Sequence, residues 1–241
     1  MTRHKQKIYD VFFLNRSPVD KEENKSKRNK QPWPTKNAMQ QVYENNLWGS
    51  GTSDFYSGEG SHKPEILKPY IETLIAFLTS FKNPISVCDL GCGDFNVGKE
   101  LVVYTKKIVA VDIVPELIER NKEKYKARNL EFLCVDIAKD MLPVADCAIL
   151  RQVLQHISND EVKQVARKLS GYKYVIVTEH LPNKDFNPNL DIISGQGTRL
   201  KKNSGIKLLE PPFNLEIVEK RELLKIVDAH GIIVTTLYMM N

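Results

Sequence analysis

The sequence lacks the features that would place the protein in a membrane, in a disulfide-rich class or among zinc proteins. Its 241 residues contain no run of 18 or more apolar residues, so no membrane-spanning helix is predicted. The basic N-terminus has an apolar part too short for a secretion signal. The four cysteines (Cys88, Cys92, Cys134 and Cys147) show no C-x-x-C spacing, which favours buried, reduced thiols over zinc. Together these absences predict a cytoplasmic enzyme or binding protein.

Excess charge of one sign is also absent beyond the first 30 residues. The net charge is +5, and residues 1–30, with nine basic and four acidic side chains, account for all of it. We interpret residues 1–37 as a basic, flexible arm and residues 38–241 as the folded domain. The arm could contact RNA or anionic lipid. The neutral remainder argues against nucleic acid as the partner and favours a small molecule.

The order of predicted elements indicates a doubly wound, mostly parallel α/β sheet of seven strands. Residues 65–81 have helical periodicity, and further helices are predicted at 97–104, 115–127 and 159–169. The chain ends in two strands joined by "DAHG", which predicts an antiparallel hairpin at the sheet edge. The five strands predicted before that hairpin are 85–90, 107–112, 130–136, 146–151 and 172–179. Strands that alternate with helices predict a Rossmann-like fold with helices on both faces.

Ligands of such folds bind beyond the carboxyl ends of the strands. Three successive predicted strands end in Asp89, Asp112 and Asp136. One aspartate there would be an ordinary cap, but three are hard to explain by capping alone. Asp112 lies 19 residues after Gly93, which suits a carboxylate that accepts both hydroxyls of a ribose.

The glycine turn "VCDLGCGDF" (87–95) does not fit a dinucleotide. Asp89 and Asp94 would repel a pyrophosphate, and Asn96 stands where the third glycine of that fingerprint belongs. A nucleoside that carries an ammonium and a sulfonium would instead be attracted, and S-adenosylmethionine (SAM) is such a ligand. With "VAVDIVPELIERN", "FLCVDI" and "AILRQVLQHI", this stretch resembles the class I SAM-dependent methyltransferases. The resemblance covers residues 85–180.

The resemblance implies a role for each matching position. The loop residues Asp89, Leu90, Gly91 and Gly93 match the segment along the methionine part of SAM. Asp112 matches the acid that binds the ribose, with Ile113 and Val114 beside the adenine. Asp136 and Ile137 match the pair at the adenine amino group, although a turn cap is the alternative for Asp136. Arg151 and Gln152 match the segment next to the methionine and the acceptor.

A narrower resemblance involves "LWGSGTSDFYSGEGSHKPE", which is similar to a lid found in one branch of these enzymes. That branch also has "LRQVLQHIS", "TEH" and "PPF", and its members occur near glycan or natural-product pathways. Residues 38–64 are therefore predicted to form a lid over the cofactor, unless the stretch is an ordinary loop. The lid residues predicted to close over SAM are Tyr56, Gly58, Gly60 and Ser61.

The acceptor side is predicted from histidines and from a polar insertion. His180 beside Glu179, or His156, could act as the base that an oxygen acceptor with a high pKa needs. Residues 180–214 are predicted to form the acceptor-side insertion, with polar groups for hydroxyl-rich or anionic ligands at Asn189, Asp191, Arg199 and Lys201. We expect O-methylation of a small polar or sugar-containing acceptor, with S-adenosylhomocysteine (SAH) as product. The alternatives are an RNA methyltransferase that uses the arm and a non-catalytic SAM-binding module.

Overall fold

The computed structural model describes residues 32–49 and 54–241. Most of the predicted basic arm, and residues 50–53 of the predicted lid, lie outside this range. The α-helices are α1 (Thr35–Glu44), α2 (Pro64–Thr79), α3 (Pro115–Lys124) and α4 (Asn159–Leu169). None of the described helices is long and apolar enough to cross a membrane.

Seven strands form one sheet in the order β3-β2-β1-β4-β5-β7-β6. They are β1 (Ser86–Leu90), β2 (Lys107–Asp112), β3 (Leu130–Cys134), β4 (Cys147–Arg151), β5 (Tyr174–Leu181), β6 (Glu219–Val227) and β7 (Ile232–Met239). Strands β1 to β5 run parallel, and β7 pairs antiparallel with both β5 and β6. The predicted doubly wound sheet with a terminal antiparallel hairpin is confirmed.

Alternating side chains of the strands divide the core into two layers. On β1, Val87 packs in the cluster that contains α2, whereas Cys88 and Leu90 pack in the cluster that contains α4. Helix α4 begins with a capping box in which the Ser158 hydroxyl and the Glu161 carboxylate bond reciprocally to backbone N–H groups. Such a box satisfies two donors that a helix N-terminus otherwise leaves free. The switch in strand order between β1 and β4 therefore lies between two well-packed layers.

Three expectations about local structure are corrected. Residues 97–104 form two short 3₁₀ turns (Gly98–Glu100 and Val102–Tyr104) instead of one α-helix, because glycine and β-branched valines are poor helix formers. Cys134 is exposed instead of buried, since it ends the edge strand β3. Helix α1 begins at Thr35, so the folded domain begins at least three residues before the expected start at residue 38.

Candidate functional site

A cavity of about 390 Å³ lies at the carboxyl ends of the parallel strands. This volume is within the roughly 300–1,000 Å³ of small-molecule sites. Of the residues singled out in the sequence, those that line the cavity are Gly58, Gly60, Ser61, Asp89, Gly91, Gly93, Asp112, Ile113, Asp136, Ile137, Arg151, Gln152, His156 and His180. Leu90 and Val114 instead lie fully buried in the core beside it, and the cavity lining does not include Tyr56 or Glu179.

The glycine turn brings backbone close to the cavity. Gly91 has φ +81°, and a Cβ there would approach a Val153 methyl to 2.5 Å. Gly93 has φ +54°, and its Cβ would lie 2.4 Å from the Ser57 hydroxyl oxygen. Both positions therefore require glycine for conformation and for space. The neighbouring Asn121 amide fixes the turn by donating to the Gly93 carbonyl oxygen at 2.7 Å.

Two carboxylates face the cavity from β1 and β2. Burial and the nearby charge of Asp112 raise the pKa of Asp89 to about 7. Burial also raises the pKa of Asp112, against the opposing effect of the backbone N–H groups that it accepts. Those donors are Val114 at 3.2 Å and Gly93 at 3.1 Å. The two acids form an enclosed negative site suited to hydroxyl and cationic groups.

Asp136 is a turn cap that also lines the cavity. Its carboxylate accepts the backbone N–H groups of Ala138 at 3.0 Å and Lys139 at 3.2 Å, as a turn cap does. It also lies on the cavity wall, together with Ile137. Capping fixes the carboxylate at this end of the cavity.

Residues 54–62 of the predicted lid bond to the glycine turn. The Ser57 hydroxyl accepts the Asp94 backbone N–H at 2.8 Å, and the Asn96 amide donates to the Ser61 carbonyl at 2.8 Å. His62 Nε2 lies 2.6 Å from the Asp94 carboxylate, and the His62 ring stacks on Tyr56 at 4.4 Å between centroids. Tyr56 thus supports His62 from outside the cavity.

Arg151 at the end of β4 joins the lid to the sheet. Its guanidinium donates to the Ser61 hydroxyl at 3.1 Å and to the Gly60 carbonyl, and it lies 4.8 Å from the centre of the Tyr70 ring. Burial lowers its pKa from the ordinary value. Its Nε is buried and has no hydrogen-bond partner among the described residues, so this cation retains one donor for a ligand. The next residue, Gln152, has φ +55° and packs its amide against Gly60.

His156 is held by its neighbours. Its Nδ1 donates to the Gly197 carbonyl at 3.2 Å, and its Nε2 lies 3.3 Å from the Gln155 amide nitrogen. Trp48 packs on the ring at 4.9 Å between centroids. Burial lowers the pKa of His156 to about 4, so the ring is neutral near pH 7 and both of its nitrogens have protein partners.

His180, at the end of β5, has a carboxylate partner from a different element than expected. Its Nε2 lies 3.1 Å from Oδ1 of Asp228, in the turn between β6 and β7. Its Nδ1 has no hydrogen-bond partner among the residues that the structure describes. Glu179 lies on the other face of the strand with Val175 and Val177, because adjacent strand residues point in opposite directions. There its carboxylate is buried without a donor within the described part of the chain, and burial raises its pKa to about 8.

Part of the chain matches a known protein family. Residues 87–172 match a protein-family model described as a methyltransferase domain. No curated protein sequence matches the chain. Residues 87–172 therefore carry a methyltransferase domain.

Solved structures agree with this chain in fold. The N-methyltransferase NodS from Bradyrhizobium japonicum WM9, in complex with SAH, is 12% identical, with a TM-score of 0.60 over 84% of this chain and 98% of that one. Magnesium protoporphyrin IX methyltransferase from Synechocystis PCC 6803, with bound SAM, is 15% identical, with a TM-score of 0.55 over 88% and 99%. Human N-acetylserotonin methyltransferase, in complex with SAM, is 20% identical, with a TM-score of 0.50 over 85% and 63%.

Apart from His180, the residues of the predicted acceptor-side insertion (180–214) do not line the cavity. Within the described chain, the cavity lining includes no residue from 181 to 227. Arg199 is fully buried and donates to the carbonyl groups of Leu190, Leu154 and Ile157 at 2.8–3.0 Å. Asn189 likewise bonds to backbone, through the Lys207 N–H and carbonyl groups. These polar groups stabilise the insertion instead of facing an acceptor.

The cavity is also lined from the N-terminal side and from the terminal hairpin, by residues that were not predicted from the sequence. Met39, Tyr43 and Trp48 line it from the N-terminal side, and Asp228 and His230 line it from the β6–β7 turn. The periodic Met39 and Tyr43 were a signal for a helix with a buried face. The "DAHG" turn was recognised as a turn, but its acid could not be assigned to His180 from sequence distance.

Proposed function

We propose that this methyltransferase transfers the methyl group of SAM to an oxygen of a small polar acceptor, with a sugar-containing molecule as the first class to test. His180 would take the acceptor proton. The observation that carries the proposal is the His180–Asp228 pair, at 3.1 Å, in the same cavity as Asp89 and Asp112. An alcohol needs a base to become a nucleophile, whereas an amine that is already neutral does not.

The residues of the cavity fit SAM. Asp112 would accept the ribose hydroxyls, with Ile113, Asp136 and Ile137 around the adenine. Asp89 would neutralise the ammonium group, and the unpartnered Nε of Arg151 would donate to the carboxylate. The contact with Arg151 would satisfy a buried donor that has no partner among the described residues, which makes binding favourable.

Bound SAM supplies a methyl group on a sulfonium, and the C–S bonding electrons remain on sulfur when a nucleophile takes that carbon. The protein aligns the acceptor oxygen, excludes water and receives the proton. The lid bonds from Ser57, Ser61 and His62 to the glycine turn would hold the cavity closed during transfer.

Methyl-labelled SAM should be incubated with the protein and a panel of methyl glycosides, polyols, primary amines and short RNAs, followed by mass spectrometry. We expect the label in hydroxyl compounds. We expect His180→Gln to lower kcat by about 10²–10⁴-fold, with SAH affinity within twofold of the wild type.

Each of the other outcomes would indicate a different function. Label in RNA would support the RNA alternative, and label in amines alone would contradict the need for a base. SAH binding by calorimetry without transfer to any member of the panel or to lysate small molecules would indicate a SAM-binding module.

A further inference from the structure

The β6–β7 turn places a carboxylate on the ring of His180. Antiparallel pairing sets His180 opposite Ile233 and Leu181 opposite Ile232, so the turn lies directly beyond the end of β5. Gly231 makes the close approach possible: a Cβ there would lie 2.2 Å from the Leu181 carbonyl and 3.1 Å from His180 Nε2. A residue with a side chain at 231 would therefore displace the turn from the histidine.

Asp228 is held rigidly in this turn. Its Oδ1 accepts the backbone N–H groups of His230 and Gly231, both at 2.8 Å, as well as lying 3.1 Å from His180 Nε2. Burial would raise the pKa of Asp228, but the His230 N–H and the nearby His180 and Gly231 N–H lower it below the ordinary value. An ionised carboxylate is an acceptor only, so the His180 nitrogen that faces it must carry a proton.

Other titratable groups of the described chain line the same cavity as this pair. His230 comes from the same turn, and Lys63 and Glu59 face the cavity from the lid side, where they bond to each other. Gln155, which is neutral, accepts the His180 backbone N–H at 3.4 Å through its Oε1. Within the described chain, the hydrogen-bond partner of the imidazole is therefore Asp228.

We propose that Asp228 is a positioning residue that holds neutral His180 in the tautomer protonated at Nε2, which leaves Nδ1 as the atom that receives the acceptor proton. This inference rests on the proposed function. After the transfer, His180 would carry protons on both nitrogens, and the carboxylate of Asp228 would stabilise that positive charge. The proton then passes to solvent and restores the starting tautomer.

The tautomer can be measured without any acceptor. In the full-length protein labelled with ¹⁵N-histidine, long-range ¹⁵N–¹H NMR at a pH where the ring is neutral shows which nitrogen carries the proton. His180→Gln identifies the signals. We expect the wild-type His180 proton on Nε2 and, in Asp228→Ala, a mixture of both tautomers.

Asp228→Asn controls for damage to the turn, because an amide oxygen can still accept the N–H groups of His230 and Gly231. In this variant we expect the Nε2 proton to move upfield, since a charge-assisted hydrogen bond becomes a neutral one. A wild-type proton on Nδ1, or an unchanged tautomer in Asp228→Ala, would overturn the proposal. SAH calorimetry on the same samples separates the outcomes, because failure of the wild type to bind SAH would refute the cofactor site and not the pair.

Discussion

Ionisation of Asp89 should make cofactor binding depend on pH. The free protein holds this carboxyl with a pKa of about 7 instead of the ordinary 3.8, through burial and the charge of Asp112. At pH 7 about half of the molecules would therefore be protonated at Asp89. If the ammonium of SAH binds the ionised form, binding returns the pKa of Asp89 toward its ordinary value and releases about half a proton at pH 7.

The size of the effect follows from the same numbers. Between pH 7 and pH 5 the ionised fraction of free Asp89 falls, and the affinity for SAH should fall by roughly 50-fold. Calorimetry in two buffers of different ionisation enthalpy measures both the affinity and the released proton. Asp89→Asn should bind more weakly at pH 7 and lose this part of the pH dependence.

Asp89→Asn also separates the pH dependence that Asp89 causes from any that Asp112 causes. Asp112 has a raised pKa as well, so some pH dependence can remain in Asp89→Asn. The reasoning would be refuted by a wild-type affinity that is constant from pH 5 to pH 7, or by a variant that keeps the full wild-type slope.

Three further variants test other parts of the site. Asp112→Ala should weaken SAM and SAH binding together by about 1.5–3 kcal/mol in calorimetry, and wild-type affinity would contradict the ribose assignment. The wild-type protein should lose stability as pH rises from about 5 to 8, because the folded-state pKa of Glu179 is raised to about 8 and the unfolded chain ionises first. Glu179→Gln should lack this loss, so that its free energy of unfolding in denaturant titrations gains up to about 4 kcal/mol relative to the wild type over this range. Equal slopes would show that Glu179 ionises freely. Gly91→Ala should cost about 1–3 kcal/mol of stability, since it adds a clash and a strained φ. Gly197→Ala, where a Cβ meets nothing within 4 Å, should cost much less.

Local sequence determined most of the fold. Each strand of the sheet is a short apolar run with β-branched residues, and α4 begins at a capping box, Ser158 to Glu161, that can be read directly from the chain. The glycine turn and the acids at strand ends also follow from nearest-neighbour constraints, because parallel strands bring their carboxyl ends to one edge. The positions of Asp89 and Asp112 in one cavity were therefore predictable without coordinates.

Only the tertiary structure decided which groups meet His180 and what the insertion does. Sequence adjacency suggested Glu179 as the partner, but strand geometry sends neighbouring side chains to opposite faces. The carboxylate comes instead from Asp228, 48 positions away, which antiparallel pairing of β7 with β5 brings to the strand end. Arg199 likewise reads as a ligand-binding cation, yet it is buried against carbonyl groups more than 40 positions distant. Hydrogen-bond partners this far apart in sequence are determined by how the layers pack, so they cannot be predicted from the local sequence.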